Sequence, residues 1–155
     1  MHQTVAYRTA FAITRSAEDA EDVVQVAFVK AHGSLERFRV GAPFRPWLLT
    51  IVGNEARNWR RGSLRRLALV QRSVHGRSLE APSAEVVALA GHERRRLVDA
   101  VEALPSADRT AIVTRYFVGL TLEETASVLG VGLGAAKTRV ARALARLRES
   151  LEEAS

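Results

Sequence analysis

Apolar positions recur at the three- and four-residue spacing of a helix face in VAYRTAFAI, in VVQVAFVKA and in WLLTIVGNEARNW. Each stretch predicts one amphipathic helix. Ser16 precedes the second, and Glu18, Asp19, Glu21 and Asp22 fill its first turns, where carboxylates meet the positive end of the helix dipole. Between the second and third helices lies GSLERFRVGAPFRP, with Gly33, Gly41, Pro43 and Pro46 as breakers. The periodicity fades over 67–92, where HGRS and EAPSAE are turn-like, and returns in RRRLVDAVEAL, which Pro105 ends. Ser106 is placed to cap ADRTAIVTRYFV, which stops at Gly119, and Thr121 with Glu124 makes a capping box for LEETASVL. Strands are hard to place anywhere. The pattern predicts an all-α protein: two small helical domains, 1–66 and 93–155, joined by a linker over 67–92 that carries one short helix.

The glycines near the C-terminus sharpen this reading. Gly130, Gly132 and Gly134 fall within five residues, and each weakens a helix by roughly 1 kcal/mol relative to alanine. Gly130 suits the left-handed residue that ends one helix, and Gly132 suits the start of the next. Two helices joined by so short a glycine turn make a helix-turn-helix. On a wheel of 3.6 residues per turn, the second helix gathers Ala136, Val140, Ala143, Leu144, Leu147 and Leu151 on one face. Arg139, Arg142 and Arg146 gather on the other, and no acid occurs from Lys137 through Arg148. A helix that enters the major groove needs this division. The plainer reading of that face is the solvated side of an ordinary bundle helix.

Charge points the same way. The 155 residues carry a net charge of +6 with a pI near 10.9, so an anionic partner is expected. Lys30 and Lys137 are the only lysines, and arginine suits bidentate phosphate and base-edge contacts better than bare solubility. With no cysteine there is no disulfide framework and no thiolate metal site. Apolar runs fall short of the roughly 20 residues that span a bilayer, and the N-terminus lacks the organisation of a signal peptide, so a cytoplasmic protein without membrane insertion is expected. His2, His32, His75 and His92 are scattered, no Ser/His/Asp pattern occurs, and GVGLG follows a helix rather than a strand, unlike a dinucleotide fingerprint. The chain therefore reads as a non-enzyme with no catalytic residue, cofactor or metal.

The first zone holds a second acid-free basic run, Arg57, Arg60, Arg61, Arg65 and Arg66, interleaved with Trp59 and Asn58 and preceded by Asn54. Aromatics beside arginines and amides suit single-stranded nucleic acid, although Phe44, Trp47 and Trp59 are more often core residues. At this point the order of motifs resembles the extracytoplasmic-function (ECF) sigma factors, the two-domain initiation factors of bacterial RNA polymerase. AEDAEDVVQVAFVKAH is similar to their second conserved helix, FRVGAPFRPWLLTIVGNEARNWRR to their promoter-melting segment, and LPSADRTAIVTRYFVGLTLEETASVLGVGLGAAKTRVARALARLR to their C-terminal helix-turn-helix.

The resemblance implies a sigma factor that binds core RNA polymerase at its clamp helices and flap, directs it to promoters and helps melt the −10 region. It implies −35 reading by Lys137, Thr138, Arg139 and Arg142. It implies −10 capture by Arg39, Gly41 and Phe44 in the loop 39–45, with Asn54, Arg57, Asn58 and Arg61 on the helix that follows. Asp22, Gln25 and Phe28 match the positions that grip the clamp. Many members are also held by an anti-sigma factor, though no residue here identifies one. The sequence departs from the family's pattern at Val26, where Glu is usual, at Ala135 and Ala136, where Thr-Val is usual, and at Gly132, in place of a Ser or Pro cap. Gly53 stands where a larger residue is common. The family also carries another helical turn or two before Tyr7, so a short start is expected. The rival reading is a stand-alone dimeric helix-turn-helix regulator, which accounts for the C-terminal half but leaves the first basic run unexplained.

Overall fold

The computed structural model describes residues 2–71 and 91–154. Within them every element is helical: α1 His2–Thr14, α2 Ala17–Gly33, a 3-10 turn Leu35–Arg37, α3 Phe44–Gln71, α4 Gly91–Glu102, α5 Ser106–Ile112, a π-helical turn Val113–Val118, α6 Leu122–Leu129 and α7 Leu133–Glu153. The expectation of a short helix in the linker falls largely on residues outside those described.

Local chemistry sets the element boundaries. Ser16 accepts a hydrogen bond from the Asp19 amide at 3.3 Å and starts α2. Thr121 and Glu124 make the reciprocal capping box at 3.1 and 3.0 Å. Gly130, at φ 69°, closes α6 in the left-handed conformation that glycine adopts without a steric penalty. Three boundaries differ from the sequence reading. Pro46 lies inside the first turn of α3, where its missing N–H has no intrahelical acceptor to lose, so the helix begins at Phe44. Ser106 is the first residue of α5 and not its cap; Pro105 holds the cap position, and the Ser106 carbonyl accepts the Thr110 hydroxyl. α3 also runs on to Gln71, past the expected edge of the first domain.

Two buried clusters organise the chain. The larger joins Ala6, Ala10 and Ile13 of α1, Val23 and Ala27 of α2, and Leu49, Val52 and Ala56 of α3. It also contains Leu120 and Val128 from the C-terminal half, both 0% exposed. The smaller cluster joins α4, α5 and α7 through Val101, Leu104, Ile112, Ala143 and Leu147. The first helix of the helix-turn-helix is thus packed on α3, and the two halves share a core.

Candidate nucleic-acid interface

α7 presents the side chains expected to read duplex DNA. Its apolar back is buried as the wheel predicts, with Ala136, Val140, Ala143 and Leu147 inside and Leu144 and Leu151 packed beside them. Lys137, Thr138 and Arg142 are exposed near its N-terminal half. Arg139 is a different case. It reaches Asp108 of α5 at 3.3 Å, and Arg146, two turns further along α7, pairs with the other carboxylate oxygen. Asp108 is 4% exposed, so the expected three-arginine face is partly tied down by one buried acid. A sequence wheel carries no information about an acid contributed by another helix.

The second group lies around α3. Arg39 and Gly41 are exposed in the loop before it, and Gly41 takes φ 94°. Val40 between them is 100% exposed, the most exposed large apolar side chain among the described residues and one that sequence reasoning passed over. Phe44 is not in the loop. It opens α3 and sits in an aromatic cluster, 5.6 Å from Phe38, 5.5 Å from Trp47 and 5.2 Å from His2, measured between ring centroids. Its role here is to anchor the loop's C-terminal end. Trp59 is likewise a packing residue, half-buried against the larger core with the Arg66 guanidinium 5.7 Å over its ring.

Asn54, Arg57, Asn58 and Arg61 follow one another along α3 as expected, but they engage each other. The Asn54 side-chain oxygen accepts from Arg57, and the Asn58 oxygen accepts from Arg61 at 2.6 Å. Arg57 also donates to the backbone carbonyl of Val128 on α6. Burial lowers the Arg57 pKa below the ordinary arginine value, with Arg61 adding to it. Arg60 donates to the Ile13 carbonyl at 2.9 Å.

Gly53 explains how α6 comes so close. A Cβ built there would lie 2.2 Å from the Val128 carbonyl oxygen, so any other residue collides with the α6 backbone. Gly130 plays the complementary part, with Arg57 filling the space beside it. Arg45 pairs with Glu124, the capping-box acid of α6, and Arg15 pairs with Glu102 of α4. None of these acids or glycines stands out in the sequence as a contact, because each partner lies tens of residues away.

The third expected group, on α2, divides. Asp22 and Gln25 are exposed, whereas Phe28 is half-buried and packs on the larger core. Val26 and Val29 are exposed beside them, Val29 at 73%, and leave an apolar stripe on the same helix.

Comparison with known proteins decides the family. The family described as Sigma-70 region 2 matches residues 1–66, and Sigma-70, region 4 matches residues 94–147. An ECF RNA polymerase sigma-E factor of Haemophilus influenzae is 33% identical, over 88% of this chain and 75% of its own length. The chain belongs to the ECF RNA polymerase sigma factors. A probable RNA polymerase sigma factor, RfaY of Xanthomonas campestris, is 32% identical over 96% of this chain, which spans 38% of that relative's length. Among solved structures, the sigma factor RpoE of Bartonella quintana, in complex with the anti-sigma factor NepR, superposes with a TM-score of 0.71. It is 25% identical and covers 97% of this chain and 92% of its own. In this sigma factor the all-α fold with a C-terminal helix-turn-helix stands as expected, and Gly53, an oddity in sequence, has a packing reason. Among the described residues no helix is long and apolar enough to cross a membrane.

Proposed function

We propose that this sigma factor binds core RNA polymerase in the bacterial cytoplasm, reads a −35 element with α7 and captures an unpaired −10 base beside α3. The observation that carries the reading is the placement of Lys137, Thr138 and Arg142 on the exposed N-terminal half of α7, behind a capped α6 and a glycine turn. That half is the part of a recognition helix that meets base edges. Arg39, Gly41 and the exposed Val40 form the −10 loop, and Asn54 and Asn58 supply amides for a base edge. Asp22 and Gln25, with the apolar stripe Val26 and Val29, face the clamp helices; the exposed Tyr116 and Phe117 of the π-helical turn offer an apolar surface to the flap. An anti-sigma factor, such as the one bound to RpoE, is the expected inhibitory partner.

Packing of α6 against α3 places Asn54 and Arg57 under the helix-turn-helix. Promoter reading therefore requires the two halves to part. Run-off transcription with purified core polymerase tests the proposal directly: specific transcripts appear with this chain and not without it. Tight, sequence-specific footprinting by the free chain as a dimer, with no stimulation of polymerase, is the result that favours the stand-alone regulator.

A further inference from the structure

The seam between the two halves holds a solvent-open cleft of about 410 Å³. Arg57, Arg60 and Arg61 of α3 line one side and Arg139 of α7 another, with Leu129 and Val131 supplying apolar wall and, among the described residues, no carboxylate in the lining. Three acids of the two halves are already engaged: Glu102 with Arg15, Glu124 with Arg45, and Asp108 with both Arg139 and Arg146; Asp19 lies beside Arg15 and Arg60 in a separate, smaller pocket. Closing the halves thus gathers guanidinium groups faster than it neutralises them.

Near Arg15 and Arg60, Arg109 is 5% exposed, and its Nε and Nη2 have no hydrogen-bond partner among the described residues. Burial first, then the nearby Arg15 and Arg60, push its pKa down to about 10. A buried cation without a partner is unfavourable, and an anion entering the seam offsets that. Arginine's planar fork matches phosphate oxygens in pairs. Arg57, Arg60 and Arg61 already donate to neutral acceptors, the Val128 and Ile13 carbonyls and the Asn54 and Asn58 oxygens, and Arg139 to Asp108, so their charge is less neutralised than their N–H groups are used. A chain of phosphates meets the remaining N–H groups of several guanidiniums, whereas one carboxylate meets those of one. The cavity also lies within the range of about 300–1,000 Å³ that holds small organic ligands. Its Leu129–Val131 side then has room for a flat, weakly polar ring system.

We propose that this cavity binds a nucleoside di- or triphosphate, with the phosphates on Arg57, Arg60, Arg61 and Arg139 and the nucleoside against Leu129 and Val131. Because the ligand touches both halves, it binds the closed form alone and shifts the population toward it. Arg57, Arg61 and Arg139 then cannot meet promoter DNA; this last consequence rests on the function proposed above, whereas the binding itself does not.

The test uses the purified chain without polymerase, so its failure leaves the sigma-factor reading untouched. Equilibrium dialysis against labelled GDP and ADP is run with inorganic pyrophosphate and palmitate as competitors. In parallel, energy transfer is read between dyes on cysteines introduced at the exposed Glu36 and Glu149. One nucleotide saturates at one per chain and raises transfer, and pyrophosphate competes at least tenfold more weakly. Ala107→Trp, an exposed position on the cavity wall, fills the space and lowers affinity at least tenfold with an unchanged melting curve. Gly53→Ala lowers it as well, by parting the seam rather than filling the cavity. The proposal is overturned by absence of saturable nucleotide binding or by pyrophosphate binding as tightly as nucleotide. Displacement by palmitate, or parental affinity in both variants, overturns it equally.

Discussion

Substituting Gly53 by alanine separates two effects that usually travel together. In an isolated helix the change is favourable, by about 1 kcal/mol, because alanine loses less backbone entropy on folding. Here the new Cβ falls 2.2 Å from the Val128 carbonyl oxygen, so α6 must retreat by about 1 Å to reach ordinary contact. Such a gap forfeits a quarter to a half of the dispersion energy at the contact. Leu120 and Val128, both fully buried, contribute about 1.5–3 kcal/mol each by their burial in the shared core. The closed form therefore loses on the order of 1–3 kcal/mol against the open one, roughly a 5- to 150-fold shift. The hydrogen bond from Arg57 to Val128 is lost with it.

The chain has no cysteine, so dyes on cysteines introduced at Glu36 and Glu149 report opening without competing labels. Lower transfer with a retained or raised melting temperature is the expected pairing. Abortive initiation at limiting concentrations of chain should rise, since less of it is closed. Unchanged transfer together with a raised melting temperature refutes the reasoning, for it means that α6 does not rest on α3 in solution.

Arg109→Met should stabilise the free protein by about 2–3 kcal/mol, because it removes a desolvated guanidinium held at about 10. The folded-state value is depressed, so the penalty is complete below about pH 10 and is relieved only as the pH rises above it; denaturant titration at neutral pH measures it whole. A destabilised variant would show that Arg109 has a partner after all. Lys137→Ala and Arg142→Ala should each cost about 1–3 kcal/mol in −35 use where the side chain reads a base edge, with relaxed preference at that base pair. Transcription from a panel of −35 variants checks this, and parental selectivity in both would remove α7 from the reading role. Asn54→Ala should impair promoter opening with polymerase binding intact, as permanganate footprinting on duplex and pre-melted templates reports. Removing Arg60 and Arg61 together should instead weaken binding to all sequences and flatten its salt dependence.

The helices were legible from the sequence because the signals that make them are local. The three- and four-residue spacing of VVQVAFVKA, the Ser16 cap, the Thr121–Glu124 box and the left-handed Gly130 each act within a few residues, and all four recur in the structure. Apolar backing along α7 was legible for the same reason. Those local signals could not say which partner each polar face meets. Asp108 sits in the first turn of α5, and folding buries it and brings Arg139 and Arg146 to it across 31 and 38 residues. Gly53 stands in sequence only as a glycine where a larger residue is common, and the approach of the Val128 backbone, 75 positions later, makes it a requirement of packing. Phe44 reads as a loop residue until Phe38, Trp47 and His2 surround it. Helix propensity and capping belong to single segments and can be read in order along the chain. Ion pairing, desolvation and close backbone approach belong to pairs of segments, so tertiary structure alone decides them.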